Sequence, residues 1–121
     1  MTNEFTMDFA LNLTNGNLVE QLDISNYQDD QAAAGIQKML ADISTSDETV
    51  DTGDLSAPRW CFARNLDDTN YVSLGPDSTG IVELIRLQPD DWCLFPLAPG
   101  VALHAQANTA ACKVLFVLFE T

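Results

Sequence analysis

RWCFARNLDDTNYVSLG, residues 59–75, reads as two short strands around a polar corner. RWCFAR and YVSLG carry the aromatic and apolar residues that suit a pleated surface. NLDDTN places Asn and Asp side chains where they cap the backbone N–H groups of a turn. Outward from this corner the same alternation of run and turn repeats. GPDSTG turns the chain, IVELIRL (81–87) is a strand, and QPDD turns it again. WCLFPL (92–97) is a strand ended by Pro96 and Pro99-Gly100. VALHAQA (101–107) alternates, with Val101, Leu103 and Ala105 on one face. NTAA turns, and CKVLFVLFE (112–120) is the last strand. Strands recurring every ~8–12 residues between turn signals indicate an all-β sandwich or barrel. The expected fold is an antiparallel β-sandwich, jelly-roll-like, with about eight to ten short strands in a single domain over 1–121.

The N-terminal side is also β. In FTMDFALNL, Phe5, Met7, Phe9, Leu11 and Leu13 share one face, the pattern of a half-buried strand. Asn15-Gly16 then favours a type I′ turn, and LVEQLDI returns with Leu18, Leu22 and Ile24 on one face. Residues 4–25 are thus a β-hairpin. AAAGIQKMLADI (32–43) is ambiguous: Ile36, Met39, Leu40 and Ile43 fit a helical stripe, but Gly35 interrupts it and the neighbours are strands. A strand is favoured there, with a short helix near 32–43 as the alternative. Residues 44–58 form an acidic loop with a brief strand at Thr49–Asp51.

The terminal strand is apolar on both sides. Cys112, Val114, Phe116 and Leu118 lie on one face; Leu115, Val117 and Phe119 lie on the other. One face fits the core, and the second needs a cover, from a chain segment or another subunit.

Composition narrows the function. The net charge is −13, with 18 acids against 5 bases. Residues 1–57 hold eleven acids and one base, hence −10; residues 58–121 hold seven and four, hence −3. Such a chain repels a phosphate backbone and an anionic membrane surface, so neither nucleic acid nor membrane is an expected partner. No apolar run reaches the ~18 residues of a membrane helix, and MTNEFTMDFALNL lacks the basic start of a signal peptide. The three cysteines, Cys61, Cys93 and Cys112, each sit in an apolar run without a C-x-x-C pair. They read as buried free thiols of a reducing compartment.

No residue asks for a catalytic role. The one histidine, His104, cannot supply the two or three imidazoles of a cupin-type metal centre. It alternates with Leu103 and Ala105 and should face solvent or an interface. A Cys–His pair from Cys93 or Cys112 with His104 is disfavoured, because apolar strands hold thiols neutral. Asp90-Asp91 fits turn positions. Asp67, Asp68 and Asn70 bring three oxygen ligands within four residues, a weak cation candidate; turn capping is the commoner use of such residues. Trp60 and Trp92 could stack sugars, but their apolar neighbours favour a place in the core. No cofactor is expected.

The C-terminal half resembles small virion proteins of tailed bacteriophages with a core of the type F-x-R-N-L-D-x-T-N-Y-V-x-x-G. The matching residues are Phe62, Arg64, Asn65, Leu66, Asp67, Thr69, Asn70, Tyr71, Val72 and Gly75. Leu87 and Pro89 match a following L-x-P turn, and Ala105 and Ala107 a later strand. Asp90-Asp91 stands where that turn has a glycine and an acid. The resemblance implies a non-enzymatic jelly-roll capsid cement or decoration protein. It would form a homotrimer, bind the major capsid protein on the virion exterior and assemble in the host cytoplasm. A tail, baseplate or fibre-adaptor module is the alternative, with a carbohydrate-binding or cupin-like domain behind it. Expected interface residues are Arg64, Asn65, Asp67, Asn70, Tyr71, Arg86, Leu115, Val117 and Phe119.

Overall fold

Alternation makes strands, but only pairing and a second layer decide where each strand ends. The computed structural model describes residues 4–31 and 35–121. The chain divides into two compact units, Met1–Ala33 with Thr121, and Ala34–Glu120.

The first unit is a long hairpin. β1 (Phe5–Asn15) pairs antiparallel with β2 (Leu18–Asp29), from Asn15↔Leu18 at the tip to Phe5↔Asp29 at the base. The two-residue loop is Gly16-Asn17, and within it only Gly16 has positive φ, at 59°. That is the requirement of a type II′ turn, with glycine first, rather than the type I′ turn expected at Asn15-Gly16. The register shifts between Met7 and Phe9, where Asn26 takes φ 58° and donates its N–H to Asp8 Oδ1 at 2.8 Å. This bulge extends the hairpin past residue 25 while keeping Met7 and Tyr27 on the same side as Phe9 and Ile24. The expectation of a half-buried face fails here. Phe9, Leu11, Leu13, Leu18, Leu22, Ile24 and Tyr27 are exposed by 39–57%. Two strands make one layer, and among the described residues this unit contains no second one.

The second unit has two four-stranded sheets. Its strands are β3 (Ile36–Ile43), β4 (Glu48–Thr49), β5 (Trp60–Asn65), β6 (Val72–Gly75), β7 (Ile85–Leu87), β8 (Trp92–Pro96), β9 (His104–Ala107) and β10 (Cys112–Phe119). The sheets run β3-β10-β5-β8 and β4-β9-β6-β7, and every pairing is antiparallel. Counted from one to eight within this unit, the orders are 1-8-3-6 and 2-7-4-5. That is the double Greek key of a jelly roll. Among the described residues there is no helix, hence none long and apolar enough to cross a membrane.

Segment 36–43 is a strand, and the helix alternative is overturned over that range; residues 32–34 lie outside the described ones. All eight residues of β3 pair with β10. The apolar set that mimics a helical stripe splits between two faces: Met39 and Ile43 turn inward, Ile36 and Leu40 outward. Segment 81–87 is strand only at Ile85–Leu87. Its first residues fold back instead, with Val82 N–H donating to Pro76 O and Leu84 N–H to Leu74 O. This fold-back lies so close to β6 that a Cβ on Gly75 would overlap the Val82 carbonyl oxygen. Residues 101–103 are likewise outside β9, and the brief strand of the acidic loop is Glu48–Thr49.

The core lies between the sheets. Cys61, Ala63, Cys112, Val114, Phe116 and Leu118 come from one sheet; Val72, Leu74, Leu87, Ala105 and Ala107 come from the other. One fully buried polar side chain sits among them. Asn65 is fully buried, donating Nδ2–H to Asn70 O (2.8 Å) and Leu87 O (3.0 Å) while Oδ1 accepts from Asp67 N–H (3.0 Å). It ties the 66–70 corner to β7.

Candidate functional site: the outer face of the β3-β10-β5-β8 sheet

The inward positions of β5 are Cys61, Ala63 and Asn65, so Trp60, Phe62 and Arg64 must point outward. The expectation that Trp60 and Trp92 lie in the core is therefore corrected. In β8 the partly buried Cys93 and Phe95 face the core, leaving Trp92, Leu94 and Pro96 outside. Cross-strand pairs share a face, so the registers assemble rows. Ile36, Phe119, Trp60 and Pro96 form one; Lys38, Val117, Phe62 and Leu94 the next; Leu40, Leu115, Arg64 and Trp92 the third. Asp42 and Lys113 complete the face. Ten of these fourteen outward positions are apolar. Ile36 is 64% exposed, Leu40 61% and Trp92 52%. Phe62 and Trp92 stack at 6.1 Å between ring centroids.

The charges on this face are mostly positive, in a chain of net charge −13. Lys38, Arg64 and Lys113 are three of its five basic residues. Arg64 meets Asp90 at 3.5 Å and Lys113 meets Asp42 at 3.9 Å, both pairs largely exposed and so weak. Arg59, next in sequence, lies 5.3 Å from the Trp60 ring centroid.

The sequence-predicted interface residues fall in three places. Arg64, Leu115, Val117 and Phe119 are together on this face. Tyr71 and Arg86 belong to the other sheet's side, where the Arg86 guanidinium lies 4.1 Å from the Tyr71 ring centroid and bonds Glu83 at 2.8 and 3.1 Å. Glu83 also accepts from Ser73 Oγ. The Arg86 hydrogen bonds, then that of Ser73, hold the Glu83 carboxyl below the usual carboxylate range, and Glu83 raises Arg86 in turn. Asn65, Asp67 and Asn70 build the corner. Asp67 Oδ2 accepts the N–H groups of Asn70 and Thr69, which lower its pKa. Asp68 Oδ1 accepts from Thr69 Oγ1, and Asn70 Oδ1 from Thr109 Oγ1. Asp67 thus caps the turn's backbone, while the Asp68 and Asn70 oxygens hold threonine hydroxyls.

His104 also points outward, on the β4-β9-β6-β7 sheet, where its Nδ1 lies 2.8 Å from Asp47 Oδ1. Asp77 joins them, with one ligand atom of each residue within 4.8 Å of the others. Among the described residues these three could hold a cation through one imidazole and two carboxylates. No sequence spacing announces them, because they come from three separate segments. The paired Cys–His arrangement is absent: Cys93 and Cys112 face the interior of one sheet, while His104 faces away from the other. Burial pushes the Cys61 thiol up to about 12 and Cys93 to about 11, and raises Cys112 as well. A cavity of about 220 Å³ opens at one end of the sandwich, walled by Leu74, Ile85, Phe95, Leu97, Val101 and Leu103. Its apolar side chains offer none of the convergent polar groups that orient a small ligand.

The chain matches no protein-family model, no curated protein and no solved structure.

The sequence signal for the outer face was present but split. WCFARN and WCLFP each alternate a large outward residue with a small or buried inward one. Only the register of four strands shows that the large ones form a single surface.

Proposed function

We propose that this protein is a structural subunit that works by protein–protein contact through the outer face of its β3-β10-β5-β8 sheet. The observation that carries the reading is the ten apolar side chains on that face. A third layer is needed there, and a neighbouring subunit supplies one. In its specific form the proposal is a capsid cement or decoration protein of a tailed-phage virion, bound to the major capsid protein on the exterior. The resemblance of residues 62–75 supports that form, and the jelly-roll topology is compatible with it. The test is addition of purified protein to bare capsids. Saturable binding with a raised capsid melting temperature supports the proposal, and Leu115→Asp should abolish both. No binding by a folded wild-type chain refutes it. Copy number in purified virions separates head from tail: parity with the capsid subunit indicates the head, and a few copies indicate the tail.

The half-exposed Trp92, stacked on Phe62, favours carbohydrate binding as a second reading, since an open aromatic plane can stack a sugar ring. Retention on a glycan array that Trp92→Ala removes, with the fold intact, would favour it.

A further inference from the structure

The hairpin and the sandwich carry complementary surfaces. The hairpin's one-sided stripe is apolar over nearly its whole length, from Phe5 and Met7 through Phe9, Leu11 and Leu13. Across it lie Tyr27, Ile24, Leu22 and Leu18. Residues 1–33 contain six acids and no base. Two of those acids, Glu20 opposite Leu13 and Asp29 opposite Phe5, stand on the stripe's own side towards its two ends. The sandwich's outer face is apolar and bears Lys38, Arg64 and Lys113 against Asp42, with Asp90 reaching Arg64 from the turn before β8, so it keeps an excess of positive charge. Two identical hairpin faces would bring acid against acid, and two identical sheet faces base against base. Hairpin against sheet face brings opposite charges together around matched apolar surfaces.

We infer that the partner of each outer sheet face is the hairpin of a second copy of this chain, docked as an arm through its apolar stripe. This deepens the proposed contact function, naming the occupant of that face, and rests on that reading. At ~150–250 Å² per large side chain, the exposed fractions given above amount to on the order of 600 Å² on the stripe and roughly 300–400 Å² for Ile36, Leu40 and Trp92 on the sheet face. Full contact of these residues removes about 1,000 Å² in total, near the threshold of a specific interface. Each copy has one arm and one acceptor face, so the contact is heterologous. It can close as a reciprocal pair or as a ring.

The experiment uses the full chain and two variants, Leu22→Asp on the stripe and Leu40→Asp on the sheet face, with circular dichroism to confirm folding. Mass is measured by light scattering after size exclusion, at concentrations spanning three decades. The wild type should be oligomeric. Each variant should weaken association by at least about 30-fold, as loss of a central apolar anchor does. Mixed together, the two variants should form a heterodimer, because Leu22→Asp keeps a good face and Leu40→Asp keeps a good arm. A monomeric wild type overturns the inference. So does a wild-type oligomer whose two variants fail to complement, the outcome of arm-to-arm or face-to-face packing. Self-association is read without capsids, so its failure leaves capsid binding to be judged on its own assay. Should Leu115→Asp abolish capsid binding by a monomeric wild type, the face belongs to the capsid subunit instead.

Discussion

Replacing Asn65 should unlock the corner that joins β5 to β6. Its side chain is fully buried and makes three hydrogen bonds: two donated to carbonyls of Asn70 and Leu87, one accepted from Asp67 N–H. Leu87 O is the most deeply buried of these partners, and a buried acceptor left without a donor costs about 1–3 kcal/mol. The other two partners lie nearer solvent, and water replaces part of each bond, leaving about 0.5–1 kcal/mol apiece. Asn65→Ala should therefore destabilise the sandwich unit by about 2–5 kcal/mol. Asn65→Asp is the sharper variant. It keeps the volume and the acceptor for Asp67 N–H, yet turns a carboxylate oxygen toward two carbonyl oxygens. It should cost at least as much as alanine. Urea unfolding followed by tryptophan fluorescence reads this unit alone, since Trp60 and Trp92 are the only tryptophans and both lie in it. At a mid-range urea slope of about 2 kcal/mol/M, the midpoint should fall by about 1–2.5 M. Should Asn65→Asp unfold within about 0.5 kcal/mol of wild type, these bonds do not hold the corner and the reasoning is wrong.

The corner should also respond to acid. Asp67 is held below its ordinary value of 3.8 by the N–H groups of Asn70 and Thr69, so the native state binds fewer protons than the unfolded one. Its contribution is present above that value and is lost as pH falls through the lower native one; amide exchange should show Thr69 and Asn70 losing protection there, and Asp67→Asn should flatten the change. The cysteines give the opposite sign. Cys61 rises from 9.0 to about 12 and Cys93 to about 11, so the native state keeps protons the unfolded state releases, and stability should decline as pH rises from about 9 to 12. At pH 8 native thiols should resist a disulfide reagent until urea is added, and prompt labelling of all three would contradict their burial. Gly75→Ala should displace the 76–84 fold-back, since its Cβ meets the Val82 carbonyl; an unchanged melting temperature would show that the loop does not pack there. Phe116→Ala, at the centre of the core and fully buried, should cost about 3–5 kcal/mol by chemical unfolding.

The strands legible in the sequence were those whose own alternation matches their burial. WCFARN and CKVLFVLF are of this kind, and the turn chemistry between them set the strand count; the arms of the hairpin alternate clearly in sequence, but their burial does not follow that alternation. Segment 36–43 was not legible, because its apolar residues satisfy two periods at once. Pairing with β10 decides between them, and that partner lies some seventy residues away in the chain. Residues 81–84 look like strand but make no continuous ladder; they fold back with a single bridge from Ile81 to Asp77 and bonds to Pro76 and Leu74. Trp60 and Trp92 were misplaced for a related reason. Their hydrophobicity favours burial, but the small Cys61 and Ala63 take the inward positions, and a strand cannot turn two neighbours to one side. The gathering of Asp47, Asp77 and His104 was invisible because it depends on which loops flank β9. Asp90 takes a left-handed backbone, φ 67°, a conformation glycine adopts without strain and no strand alternation announces.

The inward and outward faces of β10 separate stability from the proposed contact role. A jelly roll closes its core with two sheets, so Cys112, Val114, Phe116 and Leu118 meet every demand of folding. Leu115, Val117 and Phe119 contribute nothing to that interior, yet they stand in register with Phe62, Trp60 and Leu40 across three strands. Exposed apolar rows of this extent invite edge and face association, and a chain of net charge −13 could suppress it by placing acids there. It places three bases there instead. Acids on that face would keep the subunit apart from an acidic partner; bases draw one in. Substitutions at inward positions should therefore report on unfolding and leave association per folded molecule unchanged. Outward substitutions should do the reverse, and that division is what a contact surface, as opposed to an incidental hydrophobic face, requires.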